Sequence, residues 1–262
     1  MIGVIGAGAM GEALIAGWLA SGIPSTDVVI VDAYEPRVQE LEERHGVTGV
    51  SLAEAAQADT VILAVKPHQI DGILKVLKDD LAGETLVVSI AAGVTLAALE
   101  SAVPGRAVIR VMPNTPALVG KGMAGVVRGT HATAEHVQRV RGLLDAVGRA
   151  VVIDEKQLDA LTALSGSGPA YLFYVAEAMI EGGVHQGLTR AEATELVTQT
   201  FVGSAAMLAE TGKSATQLRE MVTSPAGTTA AALRSLDDHG VRAAFLDAIE
   251  ACRNRGIEMG KS

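Results

Sequence analysis

Two short stretches carry residue types whose spacing could do chemistry. The first, VIGAGAMGEALIAG, sets Gly6, Gly8 and Gly11 in a G-x-G-x-x-G array directly after an apolar strand and at the opening of a helical pattern. In that context the glycines have separate tasks. Gly6 allows the tight turn, Gly8 lets a pyrophosphate approach the backbone, and Gly11 lets the helix pack close to the sheet. A bound dinucleotide is what this implies; the alternative is a glycine-rich turn that only packs a helix tightly. The second stretch, VTSPAGTT (222–229), lies between SATQLREM and AAALRSLDD, both helical in pattern. Pro225 removes a backbone donor and Gly227 frees the chain to turn, so one helix should stop here and another begin. The bland reading is a helix–helix connection. The sharper one is a set of hydroxyls and backbone N–H groups at a new helix N-terminus, which suits a small anion.

Further polar residues fall at places where a dinucleotide would need them. The second strand ends VVIVDAYEPR, and an acid there accepts hydrogen bonds from the ribose hydroxyls and repels a 2′-phosphate. Asp32 therefore favours NADH over NADPH, although Arg37 is close in sequence and Asp32 could instead cap the following helix. Three more strands end in AVKP (64–67), SIAAG (89–93) and VMPNTP (111–116). Ligands of an open parallel sheet bind just beyond such carboxyl ends. Lys66 is the cation there able to meet a cofactor phosphate, the alternative being a solvated lysine. Met112, Pro113 and Asn114 would fall where a nicotinamide should end, the alternative being that MPNTP is only a rigid loop.

These residues must be positioned by a fold with two halves. IGVI (2–5), VVIV (28–31), TVILAV (60–65), TLVVSI (85–90) and AVIRV (107–111) are β-branched and almost continuously apolar, as strands covered on both faces are. Amphipathic segments such as EALIAGWLA and PHQIDGILKVLKDD alternate with them, so an α/β, Rossmann-type doubly wound parallel sheet is expected. GMAGVVRG and GRAVVI add two strands around the helix AEHVQRVRGLLDAV. After Asp154 the pattern is helical to the end. Thr189-x-x-Glu192 and Ser214-x-x-Gln217 fit capping boxes. The expected domains are residues 1–154 for the dinucleotide and residues 155–262 as an all-helical C-terminal domain for substrate binding and dimerisation. So apolar a helical half has more surface to cover than a small bundle hides, hence a homo-oligomer.

Composition excludes several classes. Net charge is −9 with no basic run, which argues against nucleic acid or an anionic membrane as partner. The single cysteine, Cys252, excludes an internal disulfide framework, and its helical face with Phe245 and Ile249 suggests an inert core position. Six histidines are scattered without metal-ligand spacing, so no metal is expected. No apolar run is long enough to span a bilayer, and MIGVIGAGAM lacks a basic leader region, so a cytoplasmic protein is the expectation.

LSGSGPAYLFYV (164–175) adds a second break of small, hydroxyl-bearing residues in the helical half, with no Ser-His-Asp or H-E-x-x-H arrangement anywhere. Chemistry that needs little beyond positioning, such as hydride transfer from a nicotinamide, fits this poverty. The ordered set GAGAMG, AVKP, AAG, VMPNTP, LSGSGPAY and VTSPAGTTAAAL resembles the Δ1-pyrroline-5-carboxylate reductases over essentially the whole chain. The resemblance implies reduction of a cyclic imino acid to proline with NADH or NADPH, a helical domain interlocked with a partner subunit, and higher oligomers in some members. Carried over, cofactor contacts run through Gly6, Ala7, Gly8, Ala9, Met10 and Gly11, then Asp32 and Ala33, then Val65, Lys66 and Pro67, then Ala91, Ala92 and Gly93, and Asn114. The substrate carboxylate falls on the N–H groups around Gly227, Thr228 and Thr229. Ser224 shapes the loop, Glu155 lies near the substrate, and the Thr229 hydroxyl faces the ring nitrogen as the catalytic group.

Two departures stand out. The family loop is usually S-P-G-G-T-T, and Ala226 here replaces its first glycine, which strains the chain if that position needs φ > 0. Polar residues that grip a 2′-phosphate often follow the second strand in the family, whereas this chain has Asp32 and Ala33. A β-hydroxyacid dehydrogenase resembles the chain at GAGAMG, but its lysine one turn after the small-residue motif has no counterpart in SGSGPAYLFY. Another imine reductase or a non-enzymatic NAD(P)-sensing module would share the cleft; a sensor would have no use for VTSPAGTT.

Overall fold

The computed structural model describes residues 1–260, and they form two compact units: Met1–Ser167 with the chain from Cys252 onward, and Gly168–Ala251. In the first unit eight strands lie in one sheet: β1 (Ile2–Ile5), β2 (Val28–Val31), β3 (Thr48–Gly49), β4 (Thr60–Leu63), β5 (Leu86–Ser89), β6 (Ala107–Met112), β7 (Gly122–Arg128) and β8 (Gly148–Val152). Their order is β3-β2-β1-β4-β5-β6-β7-β8. The direction of winding reverses at β1, which pairs in parallel with β2 on one side and β4 on the other. A crevice at the carboxyl ends of the strands follows from that reversal.

The near-continuous apolar runs have the expected cause. Within β5, Leu86 and Val88 enter one core cluster with Leu14, Ile15, Trp18 and Ile30, while Val87 enters another with Leu63, Leu74 and Leu99. Both faces of the sheet are covered. Helix α1 (Ala9–Ala20) brings Trp18 to the first cluster, where its indole N–H donates to the Leu143 carbonyl at 2.8 Å. Helix α2 (Glu35–His45) closes in a left-handed Gly46, and α3 (Leu52–Ala55) opens in a Ser51/Glu54 capping box. Helices α4 (Pro67–Leu77), α5 (Leu96–Ala102) and α6 (Ala134–Asp145) complete the covering layers.

One strand departs from the expected parallel sheet: β7 runs antiparallel to β6. Residues 113–121 join them, and a loop of that length, mostly one 3₁₀ turn (Thr115–Val119), is too short for a crossover helix. Helix α6 then supplies a crossover, and β8 pairs with β7 in parallel. The unit continues through α7 (Leu158–Leu161) and a π-helical turn, Thr162–Gly166, in the middle of LSGSG.

The second unit contains α8 (Gly168–His185), α9 (Arg190–Glu210), α10 (Ala215–Met221), α11 (Thr228–Asp238) and the larger part of α12 (Val241–Met259). Both anticipated capping boxes are formed, with Thr189 Oγ1 accepting from Glu192 N–H and Ser214 Oγ from Gln217 N–H. Very little of this unit is buried within the chain: Pro169 in α8, Ala193 and Val197 in α9, and no residue of α10, α11 or α12. Cys252 is therefore not a core residue of a folded helical half. It is half-buried with its thiol donating to Ser167 Oγ at 3.3 Å, while Phe245 on the same helix is exposed.

Candidate active site

The first site residues are set by the turn after β1. Gly6 has φ +101, and a Cβ there would lie 2.7 Å from the Ala64 carbonyl. A Cβ on Gly11 would lie 2.4 Å from the Gly6 oxygen, so α1 can start so close to β1 only with glycine at both positions. Gly8 differs. It is exposed, extended at φ −68 and ψ −176, and a Cβ on it would meet no described atom within 4 Å. The space beside it is what a phosphate needs, at the N-terminus of a twelve-residue helix.

A cavity of about 390 Å³ opens there, lined by Gly6, Gly8, Asp32, Ala33, Val65 and Lys66 together with Ile5, Val31, Leu52, Ala64, Gln69 and Ile73. Glycine turn, acid and lysine are thus brought to one place by the ends of β1, β2 and β4. The cavity has an apolar wall, from Leu52, Val65 and Ile73, and a polar rim. A dinucleotide fits these residues: open backbone at Gly8 for phosphate, an acid for ribose hydroxyls and a cation in Lys66. Leu52, Gln69 and Ile73 escaped the sequence reading. Ser51-x-x-Glu54 was the available signal for the short helix that delivers Leu52.

Asp32 does not cap α2. The N-cap is Tyr34, which makes no side-chain cap bond. Instead Asp32 Oδ2 accepts from the Ala7 N–H at 2.7 Å and Oδ1 from the Tyr34 N–H at 2.9 Å, leaving further lone pairs toward the cavity. Ala7 itself is fully buried, and Ala9 opens α1 at the surface with Met10 packed toward the core. Lys66 is the N-cap of α4, with Pro67 as first helical residue; its N–H donates to Gln69 Oε1 at 3.1 Å. Ala91 is buried, Ala92 exposed and Gly93 left-handed at φ 79, forming the turn after β5.

Asn114 is held at both ends of its amide. Its Oδ1 accepts from the Met123 N–H at 2.7 Å and its Nδ2 donates to the Ser165 carbonyl at 2.9 Å. It ties the loop after β6 to the π-helical turn. Glu155 accepts from the Leu96 N–H at 2.7 Å and from Arg110 Nη1 at 2.8 Å, both on Oε1. Arg110 is buried, 7 % exposed, so this carboxylate balances an interior charge of the first unit.

In the second unit, VTSPAGTT does separate two helices, α10 and α11. Gly227 is the N-cap of α11 in extended conformation, with no side chain satisfying the first turn. The N–H groups of Thr228, Thr229 and Ala230 are the first of the helix and have no partner within it. The loop is tight. Gly227 N–H donates to the Ser224 carbonyl at 3.1 Å, and a Cβ on Gly227 would sit 2.4 Å from Ser224 Oγ. Ala226 has φ 57, the sole non-glycine in the left-handed region among the described residues. The position does need φ > 0, so the alanine is strained.

Among the described residues no group of three or more His, Cys, Asp or Glu could hold a metal, and no helix is long and apolar enough to cross a membrane.

Comparison with known proteins covers both units. The family described as pyrroline-5-carboxylate reductase dimerisation matches residues 155–259, and one described as NADP oxidoreductase, coenzyme F420-dependent, matches residues 1–93. A pyrroline-5-carboxylate reductase of Corynebacterium melassecola is 46% identical, over 99% of this chain and 98% of its own. The chain belongs to the pyrroline-5-carboxylate reductase family. Among solved structures, the reductase of Coxiella burnetii is similar with a TM-score of 0.96 at 36% identity, covering 100% of this chain and 98% of that one. The Plasmodium falciparum pyrroline carboxylate reductase, solved with NADP bound, has a TM-score of 0.88 at 30% identity over 99% of this chain and 97% of that one. The α/β sheet followed by a helical family region is thus the reductase architecture, and the rival dehydrogenase reading is set aside.

Proposed function

We infer that this protein reduces L-1-pyrroline-5-carboxylate to L-proline with a hydride from NAD(P)H. The observation that carries the inference is 46% identity to a pyrroline-5-carboxylate reductase over 99% of this chain. A reduced dinucleotide held with its pyrophosphate at the glycine turn would supply the hydride that the C=N carbon accepts. The chain's own residues bind, orient and relay. Gly8 and the start of α1 receive the pyrophosphate with Ala7, Ala9, Met10 and Gly11 shaping the turn, and Lys66 adds a cation. Val65, Pro67, Ala92 and Gly93 border the cofactor, and Ala91 and Asn114 hold the loops on which it rests.

The imino-acid carboxylate sits on the open N–H groups of Thr228 and Thr229, beyond the Gly227 cap, where the dipole of α11 offsets its charge. The N–H of an already protonated imine donates to Thr229 Oγ1, which orients the ring, since a threonine is a poor acid by itself. Ser224 fixes the loop. Glu155 anchors the buried Arg110 through Oε1, and its nearness to the substrate rests on the family resemblance.

Asp32 and Ala33 support NADH as the preferred cofactor, because a carboxylate at the ribose repels a 2′-phosphate. In functional terms we divide the chain at 154/155, with residues 155–262 serving substrate binding and pairing with a second copy. The exposed Leu172, Phe173, Tyr174 and Leu246 support that pairing. A cytoplasmic setting is proposed on the same grounds as a small-molecule substrate, with neither nucleic acid nor membrane as partner. The test is steady-state oxidation of NADH and of NADPH with pyrroline-5-carboxylate. NADH giving the higher kcat/KM is expected; a preference for NADPH would keep the reaction and overturn the role of Asp32.

A further inference from the structure

Ala7 is gripped from both sides of its peptide framework. Its N–H donates to Asp32 Oδ2 at 2.7 Å, and its carbonyl accepts from Arg37 Nε at 2.8 Å. The acid that faces the ribose and the nearest guanidinium thus meet at one residue of the glycine turn. A guanidinium so placed is the group a 2′-phosphate would seek, as a bidentate partner. It is not free. Arg37 Nη1 donates to Glu40 Oε2 at 2.6 Å and Nη2 to Glu12 Oε2, so all three nitrogens are engaged. Arg44 bonds both carboxylates, and His45 Nε2 lies 3.1 Å from Glu12 Oε1. Arg37 and Glu12 are about one-fifth exposed, so the pair is not a loosely solvated one. Burial alone would raise the Glu12 carboxyl; hydrogen bonds from Arg37, His45 and Arg44 outweigh it and hold the group down at about 2, ionised throughout the working range.

We propose that Glu12 and Glu40 are specificity-determining residues: by clamping Arg37 they withhold it from a 2′-phosphate and leave Asp32 to read an unphosphorylated ribose. The proposal rests on the reading of the glycine turn and Asp32 as the dinucleotide site. The two carboxylates offset the charge of Arg37 where it would otherwise offset that of Asp32. The ribose end then stays net negative, and a dianionic phosphate meets repulsion with no fork to bind.

The experiment compares binding of 5′-AMP and adenosine 2′,5′-bisphosphate by calorimetry, at low and at high salt. It uses the full chain, Glu12→Gln/Glu40→Gln, and the same variant with Arg37→Ala added. Freed Arg37 should tighten the bisphosphate about tenfold at low salt and less at high salt, with 5′-AMP unchanged within about twofold. The gain should vanish when Arg37 is removed. A gain that survives Arg37→Ala, or no gain in a folded variant, overturns the clamp while leaving Asp32 untouched. Wild-type protein that binds the bisphosphate more tightly than 5′-AMP overturns the Asp32 reading and the clamp with it. If the double variant loses its cooperative melting transition, Glu40→Gln alone serves, since Glu40 is the more exposed partner. A gain of about threefold that Arg37→Ala abolishes is then expected, and unchanged binding overturns the proposal.

Discussion

Ala226 shows how one methyl group can carry a stability cost inside a functional loop. A left-handed alanine costs about 1–2 kcal/mol, partly offset by the extra freedom that glycine would give the unfolded chain. Ala226→Gly should therefore be neutral or stabilising by up to about 1 kcal/mol in thermal or denaturant melts; a clear loss of stability would mean the methyl packs usefully. Thr229→Ala is expected to lower kcat by roughly 10- to 100-fold, on the scale of one lost transition-state hydrogen bond, with the melting curve unchanged. Unchanged turnover would remove Thr229 from the chemistry. At this scale the sequence was informative where a residue's type alone limits its use. Gly6 and Gly11 make the close backbone approaches their spacing implied, Gly8 leaves open space beside the backbone, and the strain at Ala226 was legible from its departure from glycine. What Asn114, Asp32 and Glu155 bond to depends on residues 9, 25 and 59 positions away, which no local pattern reveals.

Between elements, two ion networks join segments remote in sequence. Glu155 bonds buried Arg110 of β6 and the first N–H of α5. Glu155→Ala leaves an interior guanidinium unpaired and should cost about 3 kcal/mol in a melt, whereas Glu155→Gln, which keeps an oxygen for Leu96, should cost less. Equal losses would show that the Leu96 bond matters little. Glu12 links α1 to α2 through Arg37, Arg44 and His45. Its folded-state carboxyl lies below the unfolded value of about 4.3, so its stabilisation is complete above that pH and is lost as pH falls toward about 2. Glu12→Gln should flatten the acid limb of a stability–pH curve between those limits; an unchanged limb would contradict the network. The main strands and the two capping boxes of the helical half were legible because each is written within a few consecutive residues. The reversal of β7 was not, since strand direction depends on loop length and pairing rather than on composition. Two-residue β3 and four-residue α3 are too short for any periodicity to register.

For the whole molecule, the balance of burial differs between the two units. The sheet is covered on both faces, while Gly168–Ala251 buries only Pro169, Ala193 and Val197. Helices so exposed cannot offset their conformational entropy alone, which is why a second copy is part of the account. Phe173, 69 % exposed on α8, should matter to that pairing. Phe173→Glu should shift the sedimentation mass toward that of one chain and lower the melting temperature; an unchanged mass would place the interface elsewhere. The proposed reaction is reduction of a cyclic imine by a hydride from NAD(P)H. Its most direct test is to supply cofactor deuterated at the transferring position with pyrroline-5-carboxylate and analyse the product by mass spectrometry. Proline carrying deuterium at the former C=N carbon is the expected result. Cofactor oxidation without labelled proline, or no reaction from folded protein with either NADH or NADPH, would contradict the account.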